Sequence, residues 1–278
     1  MKIIISSSPE SLATAIAGKS SATVEAEYGA VCVEGSVLTL AHHGPRSGNP
    51  APCLATNESV REGIDVIGVS HVDLDALGGV MAIMGVKPSA ESFWDLAAFV
   101  DTHGAHKLGE SNASESNLRA LHAFWAWSEQ NRCYPPRDGS AQDVTEYVRG
   151  ACAAITSILE GDETMLAAGD AFRAATRTLN LESFKESSGR VVLRVSDSFV
   201  NHLYDYNGEA FDAVVAYNSK FKSVTVSFAN PKETDDACKL VQSLWGVLAG
   251  GHKGIAGSPR GQEMTLEDAY AALDAITG

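Results

Sequence analysis

Residues 70–79 read SHVDLDALGG, placing His71, Asp73 and Asp75 at alternate positions just beyond the apolar run GIDVIGV. An imidazole and two carboxylates within five residues form a set of hard or borderline donors that suits Mn²⁺ or Mg²⁺ and needs no thiolate. In a parallel sheet, ligands bind outside the carboxyl ends of the strands, so a metal and a substrate would meet here. The ordinary structural alternative has Asp75 cap the following helix, Asp73 make an Asx turn and His71 lie in a loop. That alternative suits any one of the three better than all three in alternation.

Three other stretches repeat the placement of polar chemistry after an apolar run. LAAFVDTHGAHK (96–107) ends its run at Asp101, followed by His103 and His106 around Gly104. If LAAFVD is a strand beside the first, Asp101 faces His71, Asp73 and Asp75 and can bridge two ions about 3.5 to 4 Å apart. AHHGPRSGNPAPC (41–53) follows SVLTL. Here His42 and His43 point to opposite faces if the strand continues, so one of them reaches a site, as a metal ligand or a proton donor. Arg46 in the same stretch is available to a phosphate. In GGHKGIAGSPRG (250–261), glycines let backbone N–H groups approach a ligand, and His252, Lys253, Ser258 and Arg260 add donors beside Gly250 and Gly251. The stretch suits a phosphate or carboxylate, its alternative being a tight turn. Of the remaining histidines, His122 reads as a boundary residue of an amphipathic helix and His202 as part of a cleft between domains. Phe124, Trp125 and Trp127 read as core.

The elements that must position these groups follow from periodicity. KIIIS, AVCVEGSVLTLAHHG, DVIGVSH and LAAFVD read as strands, while LGGVMAIMG and ESNLRALHAFWAWSEQN read as helices. The second of these helices carries Leu118, Leu121, Trp125 and Ser128 on one face behind a serine cap. The alternation predicts an α/β fold whose N-terminal part is a mainly parallel sheet with covering helices. CYPPRDGS (133–140) breaks regular structure, since paired prolines remove donors and fix φ. Helical patterns follow at 142–159 and 162–179. From 187 the texture changes to short β-branched strands, RVVLRVS, FDAVVAYN and KSVTVSFAN, then a helix over DDACKLVQSLWGVLAG and a closing helix over 265–277. The expected organisation is a metal-binding domain over 1–140, a helical connector over 141–187 and a smaller α/β domain over 188–278.

Composition bounds the function. The chain of 278 residues is 45% hydrophobic, with a formal net charge of −14. A protein gripping long nucleic acid neutralises several phosphates with clustered Lys and Arg, and no such run exists. A small phosphorylated ligand stays open, because one or two local cations, or a metal absent from the formal count, would hold it. The five cysteines are odd in number, scattered and never spaced C-x-x-C, which argues against a disulfide framework or zinc ribbon. The N-terminal apolar run of about four residues is short of the roughly 7 to 15 of a secretory core, and nothing approaches the ~20 apolar residues of a membrane span. The expectation is a cytoplasmic protein with no membrane partner and a possible homodimer.

Together these pieces resemble the DHH phosphoesterase superfamily with its DHH-associated C-terminal domain. VSHVDLDALGG is similar to the family's first metal motif in its H-x-D-x-D form, and SLWGVLAGGHKGIAGSPRG is similar to the terminal G-G-H-x-x-A-G element. DTHGAH stands where the family has its DHH triplet. The likeness runs from the first motif to the C-terminus. It implies two Mn²⁺ (or Mg²⁺) ions in the N-terminal domain and a C-terminal domain closing over an active-site cleft to hold the substrate. His71, Asp73, Asp75 and Asp101 would be metal ligands, with His42 or His43 filling a further position and His103 or His106 standing in for a DHH histidine. Gly250, Gly251, His252 and Arg260 would hold a phosphate. The implied activity is metal-dependent hydrolysis of a small phosphorylated molecule such as a nucleotide or short oligonucleotide, a nearby histidine donating a proton to the leaving oxygen. The missing triplet motivates an alternative, a nucleotide-binding or regulatory protein that has lost the reaction.

Overall fold

The computed structural model describes all residues except 29–30, 44–45, 47, 58–62, 132, 137, 248, 252 and 260–261. It divides into two units, Met1–His103 with Lys107–Phe172, and Gly104–His106 with Arg173–Gly278. The fold is α/β in both.

The first unit runs β1 (Lys2–Ile5), α1 (Pro9–Ile16), β2 (Ser21–Val24), a short antiparallel ribbon of β3 (Glu27–Tyr28) and β4 (Val31–Cys32), β5 (Leu38–Leu40) and β6 (Val66–Val69). Then come α2 (Leu74–Met84), α3 (Glu91–His103), α4 (Glu115–Asn131), β7 (Gln142–Asp143), α5 (Thr145–Leu159) and α6 (Glu163–Glu182). The sheet order is β5-β2-β6-β1-β7, parallel except for the edge strand β7, which pairs antiparallel with β1. A parallel sheet is covered on both faces, which is why VIGV in β6 is apolar throughout and all four of its residues are buried. Ile3, Ile5, Ile67 and Val69 face the larger core with α2 to α5, whereas Val66 packs with Leu12 and Ile16 of α1. Because β1, β2, β5 and β6 run the same way, the residues following each collect at one edge of the sheet.

Two expected strands are corrected. LAAFVD is not a strand but the second half of α3, with Phe93, Trp94, Leu96 and Ala97 buried at helical spacing. A short apolar run does not separate the two periods by itself. AVCVEGSVLTLAHHG is not one strand: β4 and β5 are separated by a turn in which a Cβ at Gly35 would sit 2.3 Å from the Leu38 carbonyl oxygen. The serine expected before α4 is Ser114, whose hydroxyl accepts the Asn117 N–H at 3.2 Å.

The segment read as a connector is shared between the units. α5 contributes Val148, Ala151, Cys152, Ile155 and Ile158 to the core of the first, and the division falls inside α6, after Phe172. In the second unit β8 (Phe184–Ser188), β9 (Val191–Ser196), a ribbon of β10 (Asp205–Tyr206) and β11 (Glu209–Ala210), β12 (Ala213–Asn218) and β13 (Ser223–Phe228) precede α7 (Ala237–Trp245), β14 (Gly250–Gly251), β15 (Ile255–Gly257) and α8 (Leu266–Thr277). Its six-stranded sheet has the order β14-β15-β13-β12-β9-β8, with β9 and β12 parallel and the other pairs antiparallel. Side chains alternate across it: Val191, Leu193, Ala213 and Val215 pack under α7 and α8, and Val192, Val214 and Ala216 pack with Val200, Leu203 and Phe211 on the other face. Among the described residues no helix is long and apolar enough to cross a membrane.

Candidate metal centre

Five side chains that follow strands or lie at helix ends in the first unit converge at the carboxyl edge of its sheet. His42 and His43 lie just past β5, Glu25 directly follows β2, Asp75 lies in the first turn of α2 and Asp101 in the last turn of α3. His42 Nε2 is 2.8 Å from Asp101 Oδ2, 3.5 Å from Asp75 Oδ2 and 3.8 Å from Glu25 Oε1. His43 Nε2 is 3.0 Å from Glu25 Oε2 and 3.7 Å from Asp101 Oδ2. Two trios therefore bring their donor atoms within 4.8 Å of one another, Glu25–His42–His43 and His42–Asp75–Asp101.

The His42 backbone N–H donates to Glu25 Oε1 at 3.3 Å, but four side-chain atoms of the cluster have no hydrogen-bond partner. Among the described residues, the buried side-chain atoms lacking a hydrogen-bond partner are Glu25 Oε2, His42 Nε2, Asp75 Oδ2, Asp101 Oδ2, both Glu27 carboxylate oxygens and Arg46 Nε. All belong to this cluster or its border, and such orphaned atoms are rare in folded proteins unless an ion or water completes them. The donor set, carboxylate oxygens and imidazoles without sulfur, fits a hard divalent cation.

The backbone holds the groups under constraint. Glu25 is 1% exposed and adopts φ 47, a left-handed conformation unusual for a residue with a Cβ. Its N–H donates to the Leu40 carbonyl at 2.9 Å, and its own carbonyl accepts the Ser70 hydroxyl. That fixes the ends of β2, β5 and β6 to one another. Asp75 is 2% exposed and spends its other oxygen, Oδ1, on the Cys53 N–H at 2.9 Å.

Burial and crowding of like charge set the protonation states. Burial first, then the charge of Asp75, pushes the Glu25 carboxyl up to about 8. Burial raises Asp75 to about 6, and raises Asp101 too. His43 is lowered by burial and by His42. Carboxylates that resist ionisation because they are packed together are the groups a cation would relieve.

The sequence expectations fare unevenly. Asp75, Asp101 and His42 come together as expected, although Asp101 arrives from a helix end rather than a strand end. Both His42 and His43 reach the cluster, instead of one, because β5 ends at Leu40 and the strand alternation no longer applies; their rings lie 4.2 Å apart. Asp73, not Asp75, is the N-cap of α2, accepting the Ala76 N–H at 2.8 Å. Rather than joining either trio, Asp73 pairs with His71, Oδ2 to Nε2 at 3.2 Å, while Ser70 Oγ lies 2.8 Å from His71 Nδ1. Burial pulls His71 down, but the hydrogen bond and charge of Asp73 outweigh it and lift the imidazole to about 9. Asp73 itself is held low by the same pairing in spite of burial. His103 turns away: its Nδ1 lies 3.1 Å from the Phe99 carbonyl in its own helix and its ring stacks on Phe99. His106 belongs to the second unit, 3.1 Å from the Ala229 carbonyl and 4.7 Å from the Tyr204 ring. Arg46 is engaged by carboxylates, Glu34 at 2.6 Å and Glu27 at 3.4 Å. In the second unit Gly250 and Gly251 form β14, Lys253 is exposed and Ser258 Oγ accepts the Val224 N–H at 3.1 Å; His252 and Arg260 lie outside the described residues. His122 is buried on α4 with Nδ1 2.6 Å from the Leu118 carbonyl, as a boundary residue should be.

Glu25 and its neighbour Glu27 were not foreseen. Their signal was present: SATVEAEYG sets a carboxylate directly after a strand, the same placement that marked the other groups. SATV is too small and polar to announce itself as a buried strand.

No family model matches the sequence, and no curated protein matches it. Among solved structures, one described as the crystal structure of an uncharacterized protein from Helicobacter pylori G27 is similar over 87% of this chain and 74% of that chain, at 13% identity and a TM-score of 0.26. A likeness of that size carries no functional argument.

Proposed function

We propose that the protein is a divalent-metal-dependent phosphoesterase acting on a small phosphorylated molecule, with its metal centre at Glu25, His42, His43, Asp75 and Asp101. The observation that carries this reading is the convergence of four orphaned, buried donor atoms from Glu25, His42, Asp75 and Asp101 at the carboxyl edge of a parallel sheet. The resemblance to DHH phosphoesterases supplies the reaction class. A divalent ion bound there would supply positive charge to developing negative charge and would acidify water. Mn²⁺ or Mg²⁺ suits the donors.

His42 belongs to both trios, yet its Nε2 has one lone pair. One ion at a time is therefore completed by it. His71 and Asp73, which join neither trio, have another use. An imidazole lifted to about 9 by its aspartate, with a side chain 43% exposed, carries a proton at neutral pH and suits the donor to a leaving oxygen. His43, 47% exposed at its side chain, is the histidine of the centre that also reaches the surface.

Elemental analysis of the purified protein, alongside Mn²⁺-dependent hydrolysis of an aryl phosphodiester and a dinucleotide, tests the reading. Wild type should hold at least one ion per chain and turn over; Asp101→Asn should lose both metal and at least about 100-fold of the rate, since a ligand is removed. Full metal content and full turnover in Asp101→Asn would sink the site. Metal without turnover on any phosphoester would leave a binding protein.

A further inference from the structure

Asp75 offers Oδ2 to the centre because Oδ1 is already taken by the Cys53 N–H at 2.9 Å. The orientation of this carboxylate therefore depends on where the turn Pro52–Leu54 sits. Two contacts define that place. On one side the turn presses on α2 where it has no side chains: a Cβ at Gly78 would be 2.6 Å from Cys53 Cβ, and one at Gly79 would be 2.8 Å from Pro52 Cβ and 2.9 Å from Val24 Cγ1. On the other side is Lys87. Its Nζ donates to the carbonyls of Cys53 and, at 2.6 Å, Ala55, and lies 4.8 Å from the Trp94 ring centroid. The backbone of Lys87 is itself held by Asn57, through Lys87 N–H to Oδ1 at 3.0 Å and Nδ2 to the Lys87 carbonyl at 2.9 Å.

A half-buried ammonium that donates to two carbonyls of one turn is unusual among surface lysines, whose heads ordinarily stay in water. Here it fastens the free side of a turn whose other side is fixed by the glycine face of α2. The turn in turn donates to a metal ligand.

We infer that Lys87 is a positioning residue of the metal centre: through the Pro52–Ala55 turn it keeps the Cys53 N–H on Asp75 Oδ1 and thereby aims Oδ2 at His42. The inference rests on the proposed metal site and goes beyond it, since Lys87 touches no ligand. Outer partners that orient ligands are generally worth about 10- to 100-fold in metal affinity.

The test is titration of the full chain with Mn²⁺, followed by electron paramagnetic resonance of the free ion, for wild type, Lys87→Met and Lys87→Arg, with unfolding of the metal-free proteins measured in parallel. Lys87→Met keeps the stem and loses the donors; it should bind Mn²⁺ at least about 10-fold more weakly, and Lys87→Arg, which restores donors, should recover most of that loss. A merely structural role would lower the metal-free stability and leave the affinity of the folded protein unchanged, and that result overturns the inference while leaving the metal site intact. No Mn²⁺ binding by wild type would overturn both. Should Lys87→Met not fold, Asn57→Ala carries the test, because it loosens Lys87 from outside the turn: weaker Mn²⁺ binding in the folded variant supports the inference, and unchanged binding overturns it.

Discussion

At the proposed metal centre, Glu25 would couple proton and metal chemistry most directly. Its carboxyl, raised from 4.5 to about 8 by burial and by Asp75, is protonated at pH 7 in the metal-free protein, and Asp75, raised from 3.8 to about 6, follows at lower pH. A cation takes ionised carboxylates, so binding must expel protons. Apparent Mn²⁺ affinity should rise as pH goes from about 6 to 8 and flatten above, with close to one proton released per ion at pH 7 by calorimetry in buffers of different ionisation heat. Stability has the opposite sign. A carboxyl raised on folding stabilises fully below its unfolded value, 4.5, and that stabilisation is lost as pH climbs through about 8. The metal-free protein should therefore melt at lower temperature at pH 8 than at pH 5, with excess Mn²⁺ removing the difference. A proton count of zero at pH 7 would count against Glu25 as a ligand. At this scale the sequence exposed His42, Asp75 and Asp101, because a polar group straight after an apolar run is visible in one dimension. It concealed the partition between ligand and cap, because Asp73 and Asp75 are the same residue type two positions apart and only the helix start separates their directions.

Elements decide that partition, and the segment 96–101 shows how. As a strand LAAFVD would have set Asp101 beside β6; as the end of α3 it delivers the same carboxylate from a helix, and turns His103 back onto Phe99. The expectation of proximity held while the reason for it did not. In the second unit, the position of β9 relative to α6 depends on Arg194, which is fully buried and donates to the carbonyls of Leu203, Asn180 and Asp205, the Ser183 hydroxyl and the Asn180 side chain. RVVLRVS reads as a strand with an arginine in it, and nothing in the string indicates that the second arginine is interior. Arg194→Met should leave the Leu203, Asn180 and Asp205 carbonyls and the Ser183 hydroxyl without this donor and cost about 3 kcal/mol or more in urea unfolding of the second unit. A change within about 0.5 kcal/mol, the range of an ordinary surface substitution, would contradict the interior role.

For the whole molecule, two units with their own cores and a proposed metal centre in the first make a contrast that hydrogen exchange can read. Each unit buries its own sheet, the first through Ile5, Ile67 and Leu77 and the second through Leu193, Val215 and Val226. Mn²⁺ at about 100 times its dissociation constant should stabilise what it binds by ~2.7 kcal/mol, slowing amide exchange in β2, β5 and β6 while leaving β9 and β12 unchanged. Equal slowing in both sheets would contradict a centre confined to the first unit. The sequence by itself determined the fold class, the parallel character of the first sheet, the β-rich second unit and the acidic balance, because periodicity and composition are local quantities that survive in a string. Tertiary structure alone decided that Glu25 is a ligand candidate, that His42 and His43 both reach the centre, that His71 and Asp73 pair with each other, and that Lys87 stands behind Asp75. The His71–Asp73 pairing is local and set by where α2 starts; the others are distances between residues further apart in the chain, set by which elements are neighbours and where each one stops.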